Sequence, residues 1–90
     1  MRRILTEKKN LPDIENILIG LGMDYTYYEA TGSWKGKREH SLVIELDNYP
    51  FSKVLKAAEE IRKLNGQEAV YVQEIPTSLL VVSEKGVKSL

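Results

Sequence analysis

The sequence contains no cysteine, one histidine and one tryptophan, and its formal charges cancel. Without cysteine the chain can form no disulfide framework, thiolate nucleophile or cysteine zinc site, and one histidine argues against a histidine metal cage. Thirteen Lys and Arg residues balance thirteen Asp and Glu residues, so nothing attracts the whole chain to nucleic acid or to an anionic membrane. We therefore expect no metal or other cofactor, no membrane partner and no nucleic-acid partner.

Long apolar runs are also absent. No segment approaches the roughly 20 apolar residues of a membrane span, and the first ten residues lack the apolar stretch of a signal peptide. We therefore expect a cytoplasmic protein. Ninety residues correspond to one domain, residues 1–90, and such a domain buries only about 60–65% of its unfolded surface. A core this small predicts that a second subunit completes any concave ligand site.

Two segments have the apolar periodicity of amphipathic helices. In the first, Pro12 suits the opening turn and Gly20 and Gly22 supply a left-handed stop. Its apolar positions fall on one stripe: Ile14, Ile17, Leu18 and Leu21. The second spans residues 51–64 and ends at Asn65 and Gly66. Its predicted stripe is Phe51, Val54, Leu55, Ala58, Ile61 and Leu64.

Strand-like segments occupy residues 4–7, 23–30, 42–46, 69–73 and 78–82, and the polar residues 83–90 are expected to fray. This order predicts an α+β, ferredoxin-like fold, βαββαβ plus an extra strand, in which an antiparallel sheet carries both helices on one face. The other face would be uncovered. We expect Tyr28, Val43, Glu45 and part of the Val70 and Val72 strand there, which indicates sheet-to-sheet assembly between subunits.

Residues 31–41 are predicted to form a long loop at the tip of a hairpin, and long loops often carry function. The cations Lys35, Lys37 and Arg38 beside Trp34 could bind a phosphate or a base. The alternative is a solvated tip whose charges prevent aggregation. Glu39 is the acid of this basic stretch, and cationic neighbours favour the charged form of a carboxylate. We therefore interpret it as a binding group for an ammonium or sulfonium cation.

The remaining candidates are weaker when taken alone. His40 is interpreted as a surface histidine, because its neighbour Glu39 would point to the opposite side of an extended segment. Tyr27 and Tyr28 place rings on opposite faces of one strand, which is typical of core and interface packing, although one ring could line a ligand cavity. Gln67 is an ordinary strand-entry residue. No nucleophile constellation or catalytic carboxylate pair can be assembled, so an enzyme would have to act by positioning and electrostatics.

From Ala30 onward the chain resembles the bacteriophage S-adenosylmethionine lyases. The shared features begin with Thr31, Gly32 and Trp34, followed by Glu39 and Ser41 before the β run LVIE. They continue in the alanine-containing second helix and in the segment QEAVYV, which starts at Gln67. A later Leu-Val run and a glycine also fit the family pattern.

This resemblance implies a trimeric, ferredoxin-like subunit similar to nitrogen-regulatory signalling proteins, with ligand sites between subunits. The family reaction converts S-adenosylmethionine, as substrate and not cofactor, into 5′-methylthioadenosine and homoserine lactone. The substrate carboxylate attacks the γ-carbon and the sulfonium sulfur leaves, so neither a protein nucleophile nor a metal is needed.

By the same resemblance, Glu39 would be the catalytic acid that engages the positive end of the substrate. Gln67 would orient its amino-acid part, and Tyr28, or alternatively Tyr27, would contact the substrate together with Trp34. The alternative function is a non-catalytic oligomeric module that binds a nucleotide-like metabolite or a host protein.

Overall fold

A computed structural model describes residues 1–76 and 80–89, with the backbone alone at Trp34 and Val81. Within these ranges the chain forms eight elements in the following order: β1 (Arg2–Glu7), α1 (Leu11–Gly20), β2 (Tyr25–Trp34), β3 (Lys37–Leu46), α2 (Phe51–Asn65), β4 (Tyr71–Glu74), β5 (Leu80–Ser83) and β6 (Gly86–Ser89). The predicted strand at residues 78–82 lies partly outside the described residues. In this part of the chain, neither helix has the length and apolarity required to cross a membrane.

Four strands form one antiparallel sheet in the order β2-β3-β1-β4, and β5 and β6 form a separate two-stranded sheet. The chain is therefore a small α+β protein with two helices and an antiparallel sheet, as the sequence predicts. β1 lies inside the sheet between β3 and β4, so the N-terminal strand is held on both of its edges.

One face of the sheet and both helices share a single core. Ile4 on β1 lies opposite Ile44 on β3, and both side chains are buried. Ile14 and Leu18 from α1 and Ile61 from α2 pack into the same cluster. The alternation of strand residues places this set on one side of the sheet, which anchors the helices there.

The apolar stripe predicted for α2 differs from the set of residues that α2 buries. Leu55 and Leu64 are exposed by 45% and 38%, whereas Ala57 is fully buried. The buried positions follow a helical repeat at Val54, Ala57, Ala58, Ile61 and Asn65. Ala57 and Ala58 therefore lie beside Val54 and Ile61 on the buried side of α2. Phe51 of the predicted stripe is also exposed, by 42%.

The opposite face of the sheet, the open face, carries no helix in the described part of the chain. The register places Leu5, Tyr28, Val43 and Tyr71 on this side, because each alternates with a residue of the core face. Val72 was expected on this side, but it lies opposite Ile4 and packs against the core. Val70, which precedes β4, also packs against the core, so Tyr71 is the apolar residue that β4 contributes to the open face.

The predicted long loop at residues 31–41 is wrong. β2 and β3 stay paired to Trp34 opposite Lys37, which leaves only Lys35 and Gly36 as the turn. Both residues have positive φ, 50° and 76°, as a type I′ hairpin turn requires. The segment looked like a loop because both of its faces are polar. Alternation of apolar and polar residues reveals only strands that have one buried face.

The expectation that residues 83–90 fray is also wrong where they are described. Gly86–Ser89 forms β6 and pairs with Leu80–Ser83 across a second short turn. Gly86 adopts φ 104°, a conformation that favours glycine. This C-terminal hairpin has its substantial contacts between its own two strands, as far as the described residues show.

Candidate functional site

A groove of about 1180 Å³ opens at the end of β1. β1 stops at Glu7, which pairs with Ser41, while β2 and β3 continue beyond it as a two-stranded ribbon. The segment that leads from α2 into β4 forms the facing wall. The groove therefore lies between the ribbon and residues 67–71, with the last residues of β1 as its floor.

Glu39 and Gln67 line this groove from opposite walls. Glu39 lies on the ribbon opposite Gly32, and its carboxylate is exposed. The Glu39 carboxylate makes no hydrogen bond or ion pair with any other described residue. A carboxylate on an open wall is accessible to a ligand that enters the groove.

A hydrogen-bond network holds the side chain of Gln67. Its Oε1 accepts from Thr6 Oγ1, from Glu7 N at 3.3 Å and from Asn65 Nδ2 at 3.0 Å. Its Nε2 donates to Ala69 O at 3.2 Å. An amide nitrogen has two hydrogens, so one N–H of Gln67 remains to be donated to a ligand.

The central residue of this network, Asn65, was interpreted from sequence only as the end of a helix. It is 5% exposed, and its amide also donates to Thr6 Oγ1 at 3.3 Å while its oxygen accepts from Asn10 at 3.0 Å. The network joins β1, α1 and α2 behind the groove wall. A buried helix-end Asn followed by Gly66 resembles an ordinary helix stop in sequence, so composition could not reveal this role.

The groove is acidic, in contrast to the basic surroundings expected from the sequence. Its carboxylates are Glu7, Glu29, Glu39 and Glu68, against a single lysine, Lys8. Lys8 Nζ lies 2.8 Å from Glu29, and Lys9 Nζ lies 3.2 Å from Glu7. Glu39 and Glu68 are therefore the carboxylates left without an ion pair among the described residues, and their charge favours a cationic ligand.

The three cations expected around Glu39 lie at the tip of the ribbon and do not line the groove. Because side chains alternate along β3, Lys37 shares a face with Glu39 whereas Arg38 points to the other side. His40 also borders the groove, because the edge of β3 beyond Ser41 has no β1 partner. Glu39 and His40 still point to opposite faces, as predicted.

The other predicted ligand contacts do not reach the groove within one chain. Tyr27 lies on the core side, with its ring centroid 6.3 Å from that of Tyr25. Tyr28 lies on the open face, where its hydroxyl donates to Glu45 Oε2 at 3.4 Å and Arg3 bonds the same oxygen at 2.8 Å. The side chain of Trp34 lies outside the described part of the structure.

Tyr25 clamps the start of β2 to α1. Its hydroxyl donates to Glu15 Oε1 at 2.7 Å. This hydrogen bond, followed by burial and the Glu15 charge, raises the pKa of Tyr25 to about 12. A phenol that donates to a carboxylate keeps its proton to higher pH, because ionisation would oppose two negative charges.

A smaller groove of about 680 Å³ lies near the N-terminus and the start of α2. Its guanidinium, from Arg2, is bound to Glu74 at 3.0 Å and lies 4.9 Å from the centre of the Phe51 ring. It also donates to Tyr49 O. Within the ranges 1–76 and 80–89, no group of three His, Cys, Asp or Glu side chains is placed to hold a metal ion.

Comparison with known proteins gives no family model that matches the sequence and no curated protein similar enough to count as a relative. The site is therefore described by its own residues: an acidic groove with an accessible Glu39 on one wall and a fixed Gln67 amide on the other.

Proposed function

We propose that this protein is an S-adenosylmethionine lyase whose substrate binds in the groove at the end of β1. The observation that carries the proposal is that Glu39 and Gln67 line one groove. Both residues were selected by the family resemblance, and they lie on separate elements of the chain.

The acidity of the groove supports a sulfonium substrate. S-adenosylmethionine carries a positive sulfur and a positive amino group, and Glu39 and Glu68 present carboxylates without an ion pair among the described residues. The remaining N–H of Gln67 suits a carboxylate, because an amide nitrogen can only donate. Gln67 would therefore orient the carboxylate of the substrate while Glu39 faces its cationic part.

The reaction forms one bond and breaks one. The substrate carboxylate oxygen bonds to the γ-carbon, the carbon–sulfur bond breaks, and its electron pair stays on sulfur. The products are homoserine lactone and 5′-methylthioadenosine, and no proton has to move. The protein contributes by holding the substrate folded for attack and by excluding water.

We further propose a ferredoxin-like subunit, because the strand order β2-β3-β1-β4 with two helices fits that arrangement. A trimer is proposed from the resemblance and from the open sheet face. Assembly would place Tyr28, which lies on that face, at a subunit boundary. Tyr28 or Tyr27 and Trp34 remain predicted substrate contacts.

A second candidate is a non-catalytic module that binds an adenosyl or other nucleotide-like metabolite. It is favoured by the internal hydrogen bonds of Gln67, which occupy its oxygen and one of its N–H groups. A side chain held by this many internal hydrogen bonds can form part of the groove wall without acting on a substrate. This candidate predicts that S-adenosylmethionine raises the melting temperature without being consumed.

The test is incubation of the pure protein with S-adenosylmethionine, followed by chromatography of methylthioadenosine. A sample without protein sets the baseline, because the uncatalysed reaction gives the same products. Glu39→Gln keeps the size of the side chain and should reduce the rate to that baseline. Glu60→Gln removes a carboxylate of α2 that does not line the groove, so it should keep the wild-type rate.

A wild-type rate equal to the baseline at high protein concentration would exclude the lyase. If S-adenosylmethionine then still raises the melting temperature, and Glu39→Gln abolishes that rise, the binding module is the correct function. Equal rates for the wild type and Glu39→Gln would remove Glu39 from the mechanism.

A further inference from the structure

The C-terminal hairpin formed by β5 and β6 has an apolar side that its own chain does not cover. Its register pairs Val82 with Val87 and Leu80 with Ser89, which puts the three apolar side chains on one face. Leu80, Val82 and Val87 are exposed by 58%, 77% and 67%. A two-stranded hairpin standing alone is at best marginally stable in water, so this face requires a partner.

The open face of the sheet carries a second group of apolar side chains, beside the ion pair between Arg3 and Glu45. Tyr71 is 69% exposed there and Tyr28 41%, whereas Leu5 is half-buried and Val43 is only 5% exposed. In the described residues, no helix covers this side and the hairpin does not pack on it. The chain therefore carries two surfaces with exposed apolar side chains, one on the hairpin and one on the sheet.

The accessible surface and the radius of gyration both exceed those of a compact monomer, as expected if a contact with a partner is missing. Its accessible surface is 6511 Å², whereas a compact monomer of its mass exposes about 5400 Å². Its radius of gyration is 14.8 Å, against about 12 Å for a compact domain of this length. The excess surface is comparable to the roughly 800 Å² that each partner buries in a standard interface.

We propose that the apolar face of the β5–β6 hairpin packs on the open sheet face of a second copy of this chain. Leu80, Val82 and Val87 of one copy would cover Leu5, Tyr28 and Tyr71 of the other. Leu5 and Tyr71 also line the groove at the end of β1, so the hairpin of one copy would border the groove of the next. Because the hairpin face of one copy meets the sheet face of the next, the contact is head-to-tail and can repeat until a ring closes. A second copy satisfies both surfaces at once, whereas an unrelated partner would cover one and leave the other.

Sedimentation velocity of the wild type and of Val82→Asp/Val87→Asp tests this contact. The wild type is expected to sediment as an oligomer, and the double variant as a monomer with an unchanged helical circular-dichroism signal. Lys88→Glu is the matched control, since Lys88 lies on the other face of the same strand, and it should assemble like the wild type. A monomeric wild type at every concentration, or a double variant that still assembles, would overturn the proposal.

A cross-linking experiment identifies the two surfaces directly. The chain has no cysteine, so Val82→Cys in one population and Tyr71→Cys in another introduce the only thiols. Mixing and oxidising them should give a disulfide between residues 82 and 71 of different copies, identified by mass spectrometry. Absence of that mixed disulfide overturns the proposal. So does a chain carrying both substitutions that forms the disulfide only within itself.

These outcomes are separate from those of the enzymatic test. An oligomer that depends on Val82 and Val87 but yields no methylthioadenosine supports the interface and rejects the lyase. A monomeric chain that produces methylthioadenosine supports the lyase and rejects the interface.

Discussion

The two hairpins of this chain both project from the packed body, yet they differ in what holds them. The inner ends of β2 and β3 lie in the four-stranded sheet, where Ile44 is buried in the core, and only their outer ends extend into solvent. β5 and β6 have no buried side chain among their described residues. A projecting hairpin can stand in water when its polar end continues paired strands that are anchored elsewhere. An apolar hairpin without an anchor needs a partner surface.

The largest expected difference in unfolding free energy is between alanine substitutions of a buried residue in one hairpin and an exposed residue in the other. Ile44→Ala removes a side chain that is 1% exposed, and such a change costs about 2–5 kcal/mol of unfolding free energy. Val82→Ala truncates a side chain that is 77% exposed, so the change should stay within about 0.5 kcal/mol. Urea unfolding at a concentration where the chain is monomeric measures both. Equal losses would show that the C-terminal hairpin belongs to the same cooperative core.

The wall that faces the ribbon depends on Asn65. Asn65→Ala removes hydrogen bonds to Thr6, Asn10 and Gln67, and each such bond contributes about 0.5–1.5 kcal/mol to the free energy of unfolding. Asn16→Ala, on the exposed side of α1, is the control and should change stability little. Urea unfolding again measures both. A neutral Asn65→Ala would mean that water replaces the amide and that Gln67 is not fixed by the network.

The glycines at the two turns sharpen the comparison. Gly36 has φ +76° and Gly86 has φ +104°, and an added Cβ would meet nothing within 4 Å at either position. The cost of alanine is therefore conformational, about 1–2 kcal/mol for a left-handed residue. Gly36→Ala should lower the global unfolding free energy, whereas Gly86→Ala should leave it unchanged for the monomer. Loss of stability in the second variant would contradict the independence of the hairpin.

The smallest expected effect is at the start of β2, at the end of the sheet opposite the ribbon. The pKa of Tyr25, raised from 10.0 to about 12 by Glu15, means that the unfolded chain loses this proton first as the pH rises. The stabilisation is complete below pH 10 and disappears between about pH 10 and pH 12. Ultraviolet titration of tyrosine should show one late phenol that is missing in Tyr25→Phe and shifted to lower pH in Glu15→Gln. A titration that Tyr25→Phe leaves unchanged in its late phase would contradict the clamp.

The sequence predicted the elements that have one buried face. Ile14 and Leu18 repeat at helical spacing and are buried as expected, and Leu42, Ile44 and Leu46 alternate as a strand that lies on the core. Their periodicity reflects contact with the core, so it can be read without a structure. The α+β order follows from these segments.

The elements without a buried face could not be predicted in this way. The outer ends of β2 and β3 are wetted on both sides, so Thr31 and Arg38 show no apolar alternation although they are paired strand residues. Their pairing follows from register that continues outward from the core and from the turn at Gly36. Because the ribbon carries Glu39, the shape of the candidate groove was hidden as well. The acid was singled out by its place in a basic stretch and by the resemblance, and its acidic surroundings emerged only from the fold.

The most direct test of the proposed site is the rate of methylthioadenosine formation by the wild type and by Glu39→Gln at equal protein concentration. The account predicts product above the protein-free baseline for the wild type, and a rate at that baseline for the variant with unchanged sedimentation. A wild type that forms no product, or a variant as fast as the wild type, would contradict it.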